Sequence, residues 1–380
     1  MNNFKGSKNF FFIKFFIIII SLIIIELSLQ IIYRISNGDF LLNRINLPLY
    51  ENSETSCWKL KSNSKTVHTT NEFSYEIIVD DDSFRCSEVT SNKEIINSKE
   101  KKVMFLGDGM AFGWGNSYND TYAFLISEYL KTRGIKESIN AATPGQLPNR
   151  QLCWFIKEGH KYKPDIIIHT LSGGQLDLFL PKDIDNFDKF CEKISQCKLH
   201  GYRVNKGGFL ASDENSLINY KSYLKNSAII FYSWYYFSKV KSNFIKEEKI
   251  LKTNKNLIYK KTNFLPMYQN YLKVINKYSE NTRVIFLHIP NSYEIHFADR
   301  SRWSHQKIDF EKILIENSLN IEKLKSKFNF IDTYPLFFKE RRSERIYYFV
   351  DTNLNSHGNK LTFKVFQNYC EKNRCYNIKG

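Results

Sequence analysis

Residues 103–115 read VMFLGDGMAFGWG. Val103 to Leu106 is an apolar run of strand length with no polar face, as in a strand covered on both sides, and Gly107-Asp108-Gly109 closes it in a tight turn. Downstream the texture repeats. Thr121–Arg133 has helical spacing ended by Gly134, Ser138–Ala142 reads as a second short strand, and Pro148–Tyr162 is a helix with Leu152, Phe155 and Ile156 on one side. Pro164-Asp165 then leads into Ile166–Leu171, again continuously apolar. Val284–Ile289 and Phe330–Asp332 are further strands, with helices expected over Ser304–Phe328 and over Ser356–Tyr369 behind the loop Asp351–Asn355. Short apolar strands alternating with helices specify a parallel sheet covered on both faces. Ligands in such sheets bind outside the carboxyl ends of the strands. That rule singles out Asp108 and Gly109, Ala142–Gly145, Ser172–Gln175 and Asp351–Asn355.

Upstream, residues 9–33 read NFFFIKFFIIIISLIIIELSLQIIY. The run is long enough to cross hydrocarbon, which takes about 20 residues, with Lys14 snorkelling to the interface. A signal peptide fits the basic start and apolar run equally well, but no small-residue cleavage site follows, which favours an uncleaved anchor. Lys5, Lys8 and Lys14 point to a cytoplasmic amino terminus and an exported remainder, against which Arg34 and Arg44 weigh. Glu26 inside the run is tolerable near the interface or against a partner. The chain therefore divides into an anchor (1–35), a stalk with a short irregular or β lead-in (36–100), and an α/β domain (101–372) carrying a helical insertion at about 180–280, with helices expected over Tyr223–Val240 and Tyr268–Tyr278.

With 380 residues, 42% hydrophobic and 16% aromatic, the chain is excluded from the disordered and fibrous classes. Lys and Arg outnumber Asp and Glu by 55 to 39, a net +16. An exported domain makes nucleic acid the wrong partner for that charge. The basic, aromatic stretch FYSWYYFSKVKSNFIK at 231–246 suits a membrane surface or a glycan better, beside the plainer reading of core helices with solvated Lys faces. Cysteines occur at 57, 86, 153, 191, 197, 370 and 375, none in a C-x-x-C pattern. In an exported chain the close pairs Cys191/Cys197 and Cys370/Cys375 could form local bridges, with Cys57/Cys86 as a third and Cys153 left as a buried thiol, although spacing does not fix the connectivity. No His/Glu/Asp cluster has metal-ligand spacing, and no cofactor is expected.

In order, VMFLGDGMAFGWG (103–115), SINAATPGQ (138–146), KPDIIIHTLSGGQLD (163–177) and DTNLNSHGNKL (351–361) resemble the SGNH (GDSL-like) hydrolase superfamily, and SFRCSE (83–88) resembles the segment preceding the first block in membrane-anchored members. The resemblance implies an α/β, flavodoxin-like three-layer parallel sheet preceded here by one transmembrane helix. It also implies a serine nucleophile, a histidine base oriented by an aspartate, and an oxyanion hole. Matched to those roles, the nucleophile position holds Gly109, the histidine position holds Asn353, and Asp351 stands as the orienting acid. Ala142 and Gln175 take the other oxyanion positions beside the Gly109 amide, Asp108 holds the turn, and Thr352, Asn355 and Gly358 match the last block. Glycine cannot attack a carbonyl and an asparagine amide takes up no proton near neutrality, so the implied ester hydrolase or acyltransferase is expected to be inactive. A rearranged pair drawn from Ser172, His169 and His357 is the alternative, set against the plainer expectation that Ser172 caps its strand, His169 is buried and His357 faces solvent. The expected partners are the membrane and either an acylated glycan or an envelope protein for which the domain is only a scaffold.

Overall fold

The computed structural model describes residues 4–37, 49–70, 72–88, 93–172, 264–297, 310–349 and 351–377, with residues 299 and 300 and short pieces between 176 and 236. An apolar helix, Phe4–Asn37, opens the chain, and its stretch Ile13–Ile35 is long and apolar enough to cross a membrane, as a signal anchor or a signal peptide. Its side chains stand mostly free of the rest of the protein, Phe16 being 64% exposed and Ile24 57%.

Residues 50–86 fold into two small antiparallel sheets: β1 (Tyr50–Ser53) with β2 (Cys57–Leu60), and β3 (Ser64–Thr69), β4 (Ser74–Val79) and β5 (Arg85–Cys86) in that spatial order. Where a stalk and short β lead-in were expected, Trp58, Leu60, Tyr75, Ile77 and Val79 are buried in the same core as the α/β domain. The alternation in SYEIIV, with Tyr75, Ile77 and Val79 inward, is that of a strand with one face covered.

The main sheet contains β6 (Lys102–Leu106), β7 (Glu137–Asn140), β8 (Ile166–Ser172), β11 (Arg283–Ile289) and β12 (Phe330–Asp332), while β9 (Tyr202–Val204) and β10 (Leu210–Ser212) form a separate hairpin within the insertion. Its spatial order is β12-β11-β8-β6-β7, parallel throughout. Counted within this sheet the order is 2-1-3-4-5 read from β7, so the flavodoxin-like expectation holds. Alternate strand residues serve opposite cores. Val103, Phe105, Ile166, Ile168, Ile285 and Leu287 face helices Tyr122–Lys131, Tyr334–Glu340 and Ser356–Asn373. Met104, Leu106, Ile167, Val284 and Phe286 face helices Pro148–Lys157, Phe187–Ser195, Leu265–Tyr278 and Phe310–Lys325. This double coverage is why the strands read as unbroken apolar runs. The helix expected from Ser304 is described from Phe310 to Lys325, residues 301–309 lying outside the described residues.

Two of the expected cysteine pairings are corrected. Cys153 is bonded to Cys191, because helix Phe187–Ser195 packs across helix Pro148–Lys157 and turns both thiols inward, Cα to Cα 5.3 Å. Cys57 is in a disulfide while Cys86, in a different sheet, is a free half-buried thiol, so they are not bridged to each other. Cys370–Cys375 forms as expected at the end of the last helix, and Cys197 lies outside the described residues.

Candidate functional site

The chain passes from β6 to β7 on one side and then to β8 on the other, so a cleft opens outside the carboxyl ends of β6 and β8. The turn after β6 needs a glycine at its first position, since a Cβ on Gly107 would lie 2.4 Å from that of Ala111. Asp108 caps the one-turn helix Gly109–Phe112, its Oδ1 accepting from Met110 N at 3.0 Å, as a residue holding the turn should. The same oxygen accepts from Ser172 Oγ at 2.7 Å. Ser172 thus bonds the turn after β6 across the switch point rather than capping its own strand.

Gly109 and Asn353, more than two hundred residues apart in sequence, meet here. A Cβ on Gly109 would lie 3.3 Å from Asn353 Oδ1 and 3.7 Å from Trp114 Cβ. Asn353 Nδ2 donates to Asp351 Oδ1 at 2.6 Å, and Trp114 Nε1 donates to Asp351 Oδ2 at 3.2 Å. Gly109, Asn353 and Asp351 therefore form one chain of neighbours, as the sequence matching expected them to meet.

The loop carrying Asp351 and Asn353 is held on several sides. Tyr348 N donates to Asn353 O at 2.8 Å, and Thr352 takes a left-handed conformation with φ 67°. Glu72 accepts from Phe349 N and, at 2.9 Å, from Asp351 N. Asn355 caps the last helix by accepting from Gly358 N at 2.9 Å, and its Nδ2 donates to Arg345 O at 2.6 Å. A Cβ on Gly358 would lie 2.3 Å from Ile346 O, so this position admits only glycine. Asn116 Nδ2 donates to Leu354 O at 2.7 Å and joins this loop to the one after the turn.

Other matched residues are placed differently. Ala142 is fully buried and its N–H donates to Asn140 Oδ1 at 3.2 Å, so that amide is already engaged. Gln175 lies outside the described residues. His169 is fully buried in β8, its Nε2 donating to Gln151 Oε1 at 2.7 Å. His357 pairs with Glu344 at 3.2 Å. Neither imidazole is bonded to Ser172, whose hydroxyl is given to Asp108.

Glu72, Trp114 and His68 belong to the site's frame; Glu72 and His68 were missed in sequence because the lead-in was read mainly as a stalk, and Trp114, inside the first block, carried no assigned role. His68 packs edge-on against Trp114, ring centroids 4.7 Å apart. The alternating pattern of β4 was the available signal. On the other flank, Trp58 Nε1 donates to Pro144 O at 3.3 Å and Gln146 Nε2 to Trp58 O at 2.7 Å. The guanidinium of Arg150 lies 4.4 Å from the Trp58 ring with its nitrogens buried and unpaired, and burial pushes its pKa down to about 10. Among the described residues no group of three or more His, Cys, Asp or Glu side chains is arranged to hold a metal ion. A cavity of about 560 Å³ bounded by Asn281–Val284 and Lys325–Asn329 lies at the amino ends of β11 and β12, the opposite edge from this cleft.

Burial pushes the His169 imidazole down to about 3, and burial with the charges of Arg345 and Arg341 does the same to His296. Both values lie below the unfolded one near 6.5, so the unfolded chain takes up protons first as pH falls. Stability is complete above about pH 6.5 and is lost toward pH 3, by up to ~1.4 kcal/mol per pH unit for each histidine. Denaturant midpoints measured from pH 7 to pH 4 should fall accordingly, and His169→Asn should remove about half of that histidine contribution.

No family model and no curated protein matches the chain. Solved structures similar to it include the acetyl xylan esterase AlAXEase, at 14% identity over 70% of this chain and 98% of the other with a TM-score of 0.36. TesA follows at 9% identity over 72% and 99% with 0.35, and a GDSL-like lipase from Bacteroides thetaiotaomicron VPI-5482 at 13% over 72% and 90% with 0.35. The likeness to these structures is one of fold; this chain's own sheet is five-stranded and parallel and is preceded by an apolar amino-terminal helix.

Proposed function

We propose that the chain is a membrane-anchored, extracytoplasmic domain of the SGNH hydrolase type whose ester-cleaving site has become a binding site, serving the assembly or recognition of acylated envelope glycans. The observation that carries this reading is the row Gly109, Asn353 and Asp351: the positions matched to nucleophile, base and acid adjoin one another in that order yet hold neither a nucleophile nor a proton-accepting base. Asn353 gives its N–H to Asp351 and turns Oδ1 toward Gly109. Above Gly109, where a serine hydroxyl would sit, the site offers an acceptor, which suits a ligand hydroxyl such as a sugar presents.

The full chain in detergent should take no label from a fluorophosphonate and turn over no p-nitrophenyl acetate above buffer. O-Acetylated oligosaccharides titrated calorimetrically should bind, with affinity falling about tenfold in Asn353→Ala, the loss of one hydrogen bond of ~1.4 kcal/mol. Labelling or turnover of the native chain that vanishes in Ser172→Ala would replace this reading with a working enzyme. Absence of any glycan binding would favour a scaffold for envelope proteins.

A further inference from the structure

Glu26 is the only acidic residue between Ile13 and Ile35. It lies nine residues before Ile35, about 13 Å along a helix rising 1.5 Å per residue, and therefore well inside the apolar stretch. A carboxylate at that depth costs on the order of 3 kcal/mol or more unless it is paired. Its partners come from the insertion. Glu26 Oε1 accepts from Ala228 N at 2.7 Å, and Oε2 accepts from Ile229 N at 3.0 Å and from Ser227 Oγ at 2.9 Å. Gln30 Nε2, one turn along the same helix, donates to Oε1 at 2.8 Å.

The contact solves two problems at once. Residues 228–230, 232, 233 and 236 are helical, and the first amides of a helix have no partner within it. In hydrocarbon each such donor would cost several kcal/mol, and here a carboxylate of the neighbouring helix takes them. Around this cap the packing is apolar: Ala228 and Tyr33 are buried against each other, with Leu29 and Tyr232 beside them. Glu26, Leu29, Gln30 and Tyr33 follow helical spacing and form one face of the amino-terminal helix. The outward side of the second segment is apolar too, Ile230 being 42% and Tyr236 58% exposed.

We propose that Ser227–Ile230, together with Tyr232, Ser233 and Tyr236, belongs to a second membrane-embedded segment lying among the lipid acyl chains against the amino-terminal span and capped by Glu26. The proposal rests on the reading of Ile13–Ile35 as a membrane span. On it the apolar helix is a permanent part of the folded protein, since its removal as a leader would strip the cap from Ser227–Ile229 and uncover Ala228. It also accounts for the aromatic character of the insertion as lipid contact.

The test uses the full chain in nanodiscs of phosphatidylcholine and phosphatidylglycerol containing lipids with a nitroxide on the acyl chain. In a Cys86→Ala background, an environment-sensitive fluorophore is attached through Ile230→Cys, Tyr236→Cys or, as an exposed control, Lys131→Cys. The labels at 230 and 236 should be quenched several-fold more than the label at 131. Glu26→Ala should bring them to the control level and abolish disulfide cross-linking of a Leu29→Cys/Tyr232→Cys pair in intact membranes. Equal quenching at all three sites, in a chain whose amino terminus is intact by mass spectrometry and which resists carbonate extraction, overturns this proposal alone. A chain that has lost residues 1–35, or is released by carbonate, overturns the membrane span and this proposal together.

Discussion

On the proposed loss of catalysis, Gly109→Ser combined with Asn353→His should create an esterase, raising acetyl-ester hydrolysis at least about 100-fold above the native chain, the usual worth of a positioned base. The geometry explains why both changes are needed. Gly109 has no left-handed φ to forbid a side chain, and the nearest atom to a new Cβ is Asn353 Oδ1 at 3.3 Å. That atom is itself removed in the double variant. Asp351 already receives the Asn353 amide at 2.6 Å, so a histidine at 353 would place a ring N–H on a carboxylate held from behind by Trp114 Nε1, on a residue whose backbone N–H is bound by Glu72. Serine alone would meet an amide that accepts no proton, and histidine alone would face a glycine. Fluorophosphonate labelling and acetate release measured on the two single variants and the double should show labelling only when both are present. A double variant as inert as the native chain would mean that the engaged amide of Ala142 leaves a tetrahedral oxyanion unsupported.

Arg85→Met should be the most damaging single substitution near the site, costing about 4 kcal/mol or more. The guanidinium is 1% exposed and has no carboxylate partner among the described residues; it donates through Nη1 to Phe112 O and Gly113 O and through Nη2 to Asn116 O. It also lies 4.6 Å from the Phe112 ring centroid. One buried side chain from the lead-in sheet thus ties together the carbonyls that end the turn helix and start the loop to Asn116, which in turn bonds Leu354. Methionine keeps the volume and leaves those carbonyls buried without donors. A fall of roughly 5–10 °C in melting temperature is expected by tryptophan fluorescence, with Arg85→Lys between the two because an ammonium keeps the charge without the planar fork. Unchanged melting in Arg85→Met would show that the lead-in sheet does not support the turn.

The resemblance of SFRCSE to an anchored-family segment marked Arg85 by position, but its task was not legible from the residues around it. Its acceptors lie 27 to 31 residues away and have no side-chain signature, being backbone carbonyls. Elsewhere the reading was closer. Strands β6, β8 and β11 were found because burial on both faces writes an unbroken apolar run, a signal that needs no neighbour. The lead-in strands alternate instead, between polar residues common in loops, so they were read only as short irregular or β structure, and His68 on β3 and Glu72 in the turn before β4 went unassigned. The cysteines failed for another reason. Cys153 and Cys191 are 38 residues apart and meet only because two helices cross, whereas Cys370 and Cys375 are close enough for chain proximity to suffice.

By itself the sequence determined the α/β class, the succession of strands and helices along the chain, the apolar amino-terminal helix and the residue types at Gly109 and Asn353. These are properties of residue type and local period, and they survive without knowing what touches what. The tertiary structure alone decided that Gly109, Asn353 and Asp351 meet, that Ser172 serves the turn, and that Glu26 receives amides about two hundred residues away. Hydrogen bonds and disulfides depend on distances of a few ångströms between chain segments, and no one-dimensional pattern records those distances until the sheet and its helices have packed.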